Sequence, residues 1–341
     1  MTNHNTNHFW RSRSVLVTGA TGFLGGWLTT ELLRRGASVV ALVRDHVPQS
    51  MFMAKGLRDQ AAVVQGSLDD LHLLSRTIAE YEIESVFHLA AQSIVGVAMK
   101  NPIATLETNV AGAWNVLEAC RLGGVKQVLV ASSDKAYGTQ IELPYSEDHP
   151  MQGKHPYDVS KSCGDLIATM YSVSYGLPVC ITRCANLYGG GDLNFNRLIP
   201  GIIRSCLTEQ PFIIRSDGKF VRDYLYVEDA ASAYIQLAES MAEKPELHGE
   251  AFNISAGVRA TSMEIVEAVL RAVDQRDLPI QVLNQASHEI REQYLDGSKF
   301  RAMTGWTPVY ALDSALEKTI GWYRNHRPWA SGEPIPTGVT A

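Results

Sequence analysis

What this chain lacks limits what it can be. Cysteine is sparse: Cys120, Cys163, Cys180, Cys184 and Cys206 make an odd count of five with no Cys-x-x-Cys pair. A disulfide scaffold is therefore disfavoured, and reduced, mostly buried thiols in a cytoplasmic protein are expected. No uninterrupted apolar run approaches the ~18 residues of a membrane span, so no membrane association is expected. The first thirteen residues, rich in Asn and His, have no apolar h-region and read as a loose tail with no signal peptide. His4 and His8 within it offer only chance metal ligands, and no metal site is expected. Charge is thin at 19%, and acidic residues (36) outnumber basic ones (30), for a net charge of −6. A general nucleic-acid binder would carry a basic patch or stripe. A local basic pocket for an anionic small molecule remains compatible with this balance. No internal repeat and no low-complexity segment is present.

What is there is ample core material: 341 residues, 45% hydrophobic, enough for one large domain or two coupled ones. Short apolar strands are expected at 14–18, 39–43, 61–65, 86–91, 127–131 and 178–183. Helices are expected at about 26–35, 70–81, 103–122 and 157–175. Strands of four to six residues alternating with helices of ten or more predict a doubly wound α/β fold with a parallel sheet. Beyond Asn186 the rhythm loosens, and glycine-rich Gly189-Gly190-Gly191 leads into shorter elements. We expect a dinucleotide-binding domain over 14–186, with strands returning near 225–255. A smaller mixed lobe is expected over 187–327, with tails at 1–13 and 328–341. Trp306 and Trp322 are expected to pack the small lobe.

Gly19, Gly22 and Gly25 form GxxGxxG between the first strand and the first helix. Glycine permits the tight turn and lets a pyrophosphate approach the backbone, and the helix N-terminus meets it with free N–H groups. At the end of the second strand a carboxylate suits a ribose 2′-hydroxyl and an arginine suits a 2′-phosphate. Arg44 is followed there by Asp45, so NAD and NADP both fit, with Arg44 favouring NADP because it comes first.

A second constellation lies further on. The run Val128–Ala131 ends in Ser132-Ser133-Asp134-Lys135, and ligands of open parallel sheets bind at the carboxyl ends of strands. Tyr157 and Lys161 are spaced i, i+4 and share a helix face. An ammonium beside a phenol should draw the phenol's pKa down from about 10, letting it take a proton from a sugar hydroxyl.

Together these motifs resemble the extended short-chain dehydrogenase/reductase family: the glycine loop, His88-Leu-Ala-Ala-Gln92, Asn109, Ser132-Ser133-Asp134 and Tyr157-x-x-x-Lys161. Arg183-Cys-Ala-Asn186-Leu-Tyr-Gly189 and Arg222-Asp223-Tyr-Leu-Tyr-Val-Glu-Asp229 extend the similarity over about 14–325. The resemblance implies a Rossmann domain, a lobe gripping a nucleotide-diphosphate sugar, and a homodimer built on a four-helix bundle from the helices at 103–122 and 157–175. It implies a tightly held nicotinamide cofactor contacted by Gly19, Thr21, Gly22, Phe23, Leu24, Arg44, Asp45, Ser67, Leu68, Leu89, Ala90, Ala91, Gln92, Asn109, Tyr157 and Lys161. Substrate contacts are implied at Ser93, Ser133, Asn186, Asn194, Arg197 and Arg222, with Arg215 and Arg291 as further candidates. Where the family often places Gly-Asp to hold adenine, this chain has Gly66-Ser67.

Many epimerases of the family carry a small or inert residue after the catalytic hydroxyl. Its 4,6-dehydratases place an acid there, followed by Glu or, in the CDP-glucose type, Lys. Ser133-Asp134-Lys135 is similar to the latter. Dehydration needs a base for the C5 proton and an acid for the departing C6 hydroxyl, two titratable groups beyond Tyr157. The expected roles are Ser133 at O4, Asp134 as acid at O6, and Lys135, in its neutral form, as base at C5. A 4-epimerase would need only Ser133, Tyr157 and Lys161, with Asp134 and Lys135 paired in a loop, and a uronic-acid decarboxylase is a further alternative.

Overall fold

A computed structural model describes residues 9–285 and 290–330. Its centre is a seven-stranded parallel sheet made from β1 (Ser14–Thr18), β2 (Ser38–Val43), β3 (Ala62–Gln65), β4 (Ser85–His88), β5 (Gln127–Ser133), β6 (Val179–Cys184) and β10 (Ala251–Ile254), in the order β10-β6-β5-β4-β1-β2-β3. Helices cover both faces, which is why the strands read as continuous apolar runs. Along β1, Val15 and Val17 enter one core cluster, while Leu16 between them enters the other with Val40, Val86 and Val128.

Helix α1 (Phe23–Arg34) follows the glycine loop and α2 (Leu71–Glu80) follows β3. The long helix α3 is continuous but not uniform. Pro102–Leu106 and Gly112–Gly123 are α-helical, and Glu107–Ala111 between them is a π turn. Helix α4 (Pro156–Tyr175) packs alongside it. The strand expected at 86–91 stops at His88, so Leu89–Gln92 form a loop at the carboxyl end of the sheet's central strand.

The C-terminal part differs in detail from the expectation. Strand β9 (Val221–Tyr226) does not return to the large sheet. It builds a small mixed sheet with β7 (Asn186–Tyr188), β11 (Val258–Thr261) and β13 (Glu292–Gln293). Helix α6 (Val227–Glu243) crosses back to pack on α1, and only β10 then rejoins the large sheet, beside β6. The lobe is completed by α5 (Leu198–Thr208), β8 (Phe212–Ile214), α7 (Ser262–Val273), β12 (Ile280–Val282), α8 (Ser298–Thr304) and α9 (Leu312–His326).

Three further corrections concern tryptophans. The N-terminal tail ends sooner than residue 13: Trp10 is fully buried, and its Nε1 donates 2.7 Å to Glu239, which also pairs with Arg35. An indole with its one polar atom satisfied stabilises as a core residue. At the other end Trp329 packs on Phe195 and Tyr323. Residues 1–8, with His4 and His8, and 331–341 lie outside the described residues. Trp322 packs the small lobe as expected. Trp306 instead joins the main core through Phe300 and donates to Ser232. The five cysteines are free thiols, and Cys163 is the least buried of them. Among the described residues no helix is long and apolar enough to cross a membrane, and no cluster of His, Cys, Asp or Glu is suited to a metal.

Candidate active site

The carboxyl ends of β1, β2, β4 and β5 and the inner side of the small lobe enclose one continuous cleft of about 1470 Å³. Pockets for single drug-sized ligands run to roughly 1,000 Å³, so this one has room for two. At one end lies the glycine loop. Gly19 has φ +76°, and a Cβ on Gly25 would sit 2.0 Å from the Gly19 carbonyl oxygen, so the chain can fold this tightly only with glycine at both positions. Helix α1 begins at Gly22 with no side-chain cap and no acidic residue in its first turn. Its N–H groups and dipole are thus left for an external anion, which fits a dinucleotide pyrophosphate.

Most of the sequence-derived cofactor candidates line this cleft: Gly19, Thr21, Gly22, Phe23, Leu24, Arg44, Asp45, Ser67, Leu68, Leu89, Ala90, Ala91 and Gln92. Arg44 and Asp45 form an exposed ion pair of 2.6 Å. Asn109 stands behind the wall rather than in it. The π turn of α3 swings its amide inward, where it accepts from the Gln92 N–H (2.7 Å) and donates to the Gln92 carbonyl (3.0 Å) and to Ser160 Oγ (2.9 Å). It acts on the cleft by holding Gln92.

The middle of the cleft is built by β5. This strand runs two residues past its apolar stretch, because Ser132 and Ser133 still pair with Arg183 and Cys184 of β6. The chain then turns sharply: Ser133 Oγ accepts from the Lys135 N–H and opens a 3₁₀ turn, Asp134–Tyr137, closed by Gly138 at φ +62°. A buried network fixes the turn from below. Tyr137 OH donates to Asn253 (2.7 Å) and accepts from Arg183 (2.9 Å), and Arg183 pairs with Asp165 at 2.6 Å. Ser133 Oγ donates to Asp134 Oδ1 (3.0 Å), and Lys135 Nζ lies 3.1 Å from both Asp134 carboxylate oxygens. Asp134 is only 2% exposed.

Tyr157 and Lys161 face this turn from α4. Lys161 Nζ donates 2.8 Å to the Ala131 carbonyl and lies 6.0 Å from the Tyr157 ring centre. The expected depression of the phenol pKa is not what the protein alone provides. Burial pushes Tyr157 up to about 12, against the opposing pull of Arg197 and a hydrogen bond with Ser133. Burial also draws Lys161 down to about 8, with Asp165 and Cys184 opposing. Desolvation outweighs the i, i+4 partner because both groups are taken from water together. His88, hydrogen-bonded to Thr18 Oγ1 at 2.9 Å, is driven down to about 3 by burial and then by Lys161, and stays neutral.

At the far end stand Ser93, Asn186, Asn194, Arg197, Arg215 and Arg222, all lining the cleft. Asn186 donates to the Asp223 carbonyl, and Arg197 pairs with Asp192 at 3.1 Å. Arg291 does not reach the cleft: its guanidinium turns outward to Asp217 at 3.3 Å. Its near neighbour Gln293 does, fully buried and bonded to both Lys135 and Asp134. A glutamine in Glu-Gln-Tyr carries no sequence signal of that kind.

Comparison with known proteins agrees with this geometry. The profile of the NAD dependent epimerase/dehydratase family matches residues 15–255. The chain belongs to that family. The family's chain here is 34% identical to the CDP-glucose 4,6-dehydratase of Salmonella typhimurium, covering 96% of this chain and 94% of the relative. It is 31% identical to a UDP-glucose 4-epimerase of Mycolicibacterium smegmatis, over 91% of this chain and 98% of the relative. Among solved structures it superposes with TM-score 0.85 on the dTDP-glucose 4,6-dehydratase DesIV of Streptomyces venezuelae. That structure holds NAD, and the match is at 26% identity over 93% of this chain and 99% of that one.

Proposed function

We propose that this family member is a nucleotide-sugar 4,6-dehydratase of the CDP-glucose type, converting an NDP-hexose to the NDP-4-keto-6-deoxyhexose and water. The observation that carries the reading is the Asp134–Lys135 ion pair, its carboxylate buried and its ammonium half-buried at the cleft, placed directly after Ser133 and beside Tyr157. A 4-epimerase has no use for it.

A bound nicotinamide would supply the hydride acceptor at C4 and the hydride donor at C6, held by the glycine loop, the Leu89–Gln92 loop and Lys161. NAD is the favoured form, because Arg44 already spends its guanidinium on Asp45. In the protein, Tyr157 takes the O4 proton, and its phenolate is made accessible by positive charge brought beside it. One proton shifted across the 3.1 Å contact from Lys135 to Asp134 turns the ion pair into a neutral amine and a carboxylic acid. The amine then removes the C5 proton while the acid protonates the departing O6, releasing water and restoring the charged pair. Lys135 later returns its proton to C5. The proton held by Tyr157 goes back to Asp134 through Ser133 Oγ, which bonds to both, so the account closes. Arg197 and Arg222 would neutralise the substrate diphosphate.

The same reading includes a homodimer. Helices α3 and α4 expose Ile103, Trp114, Leu122, Leu166, Met170 and Val173, and apolar groups in such number on paired helices favour burial against a second copy.

The test is incubation with CDP-, dTDP-, UDP- and GDP-glucose. Formation of the alkali-sensitive 4-keto-6-deoxy chromophore from CDP-glucose is expected. Equilibration of the C4 epimer without the chromophore would replace this reading by an epimerase. Mass spectrometry of the released cofactor checks NAD against NADP.

A further inference from the structure

Gln293 joins the Asp134–Lys135 pair from the other side of the cleft. It lies on β13, more than 150 residues downstream, and is 0% exposed. Both ends of its amide are used: Oε1 accepts from Lys135 Nζ, and Nε2 donates 3.0 Å to the Asp134 carbonyl. Only one orientation of the amide serves, since the reverse would point N–H donors at the ammonium. The strand beneath is also held. Gln293 pairs with Arg222 of β9, and the N–H of Leu295 donates to Asp223. A buried amide satisfied at both ends restricts its partners to one arrangement.

We propose that Gln293 is a positioning residue for Lys135. It holds the lysine nitrogen against Asp134 and ties the 3₁₀ turn to the small lobe, so that proton exchange within the pair and at C5 occurs from one geometry. What the pair does chemically rests on the dehydratase reading above, but the hold on Lys135 does not. Asp158 on α4 faces Lys135, and Tyr157 on α4, Tyr145, and Asp223 on β9 face its partner Asp134. Gln293 itself does not titrate, so Gln293→Leu changes the hydrogen bonding of Lys135 without adding or removing a proton site, whereas Gln293→Glu sets a carboxylate against the ammonium.

The experiment uses the full-length holoenzyme with Gln293→Leu and the near-isosteric Gln293→Glu. The first readout is the titration of Lys135 by NMR of ¹³C-dimethylated lysines, assigned with Lys135→Arg. The second is solvent-deuterium incorporation at C5 of CDP-glucose and dTDP-glucose, beside the nicotinamide absorbance change that reports C4 oxidation. An acceptor favours the ammonium, so Gln293→Leu should lower the Lys135 titration and Gln293→Glu should raise it. Loss of positioning should slow C5 exchange on the order of 10²-fold in Gln293→Leu, with C4 oxidation retained. A Lys135 titration that moves in neither variant overturns the proposal, whatever reaction the protein runs. If the wild type exchanges nothing at C5, the dehydratase reading fails, and the lysine titration alone decides the role of Gln293.

Discussion

Asp134 and Lys135 are the residues on which the proposed dehydration rests. Asp134→Asn keeps the volume and most hydrogen bonds but removes the proton to be donated to O6. Dehydration should fall by about 10²–10⁴-fold, the usual worth of a positioned acid, while C4 oxidation persists; product chromophore and nicotinamide absorbance, read on the same sample, separate the two steps. His88 gives a second prediction, about stability. Its folded pKa of about 3 lies below the ordinary 6.5, so between those values the unfolded chain binds more protons than the folded one. The stability His88 contributes is therefore complete above pH 6.5 and drains away as pH falls towards 3. Across that window the wild type should lose on the order of 4 kcal/mol more than His88→Asn, measured by denaturant unfolding at a series of pH values. Residues of this kind were partly legible in the sequence. Tyr157, Lys161, Ser133, Asp134 and Lys135 announce themselves by spacing and by their place after a strand. Gln293 did not, because its role depends on a β13–β9 pairing that no local pattern encodes, and the outward turn of Arg291 was hidden for the same reason. The titration of Tyr157 was misjudged because sequence spacing reveals the partner and not the burial.

At the level of elements, the βα alternation through residue 184 could be read almost strand by strand, since strands covered on both faces must be apolar and their helices must be long. The π turn at Glu107–Ala111 could not. It is one extra residue in a helix, and such turns are often found at functional sites. Its product is the inward Asn109 that braces Gln92. The glycine loop offers a sharper test. In Gly25→Ala the new methyl would meet the Gly19 carbonyl oxygen at 2.0 Å, against the backbone of the loop and not a flexible side chain. The loop must open, so NAD retention should be lost and the melting temperature lowered; cofactor content after gel filtration and a thermal scan check both. The small lobe was the least legible part, because β7, β11 and β13 are short, and each pairs in mixed orientation with β9, a strand distant from it in the chain.

For the whole molecule, the exposed apolar residues of α3 and α4 predict an assembly that charge should abolish. Leu166→Glu with Val173→Glu, at positions 60% and 81% exposed, leaves the isolated fold intact and places carboxylates on the face proposed to pair. Sedimentation velocity should give a dimer for the wild type and a monomer for the double variant. A wild type that sediments as a monomer removes the bundle from the picture. The N-terminal segment was misread at this scale as well: Trp10 is bound to Glu239 on α6, a contact with no trace in the residues around it.

The free thiols have a use beyond packing. Cys120 sits on the buried face of α3, Cys180 and Cys184 in strand β6 of the large sheet, and Cys206 in α5 of the small lobe, all buried. A thiol reagent can reach each one only when its own region opens, and such openings differ in free energy across a protein. The unmodified chain therefore carries three internal clocks. The order in which these sulfurs react with the reagent under native conditions records whether the small lobe loosens before the sheet, with no residue changed.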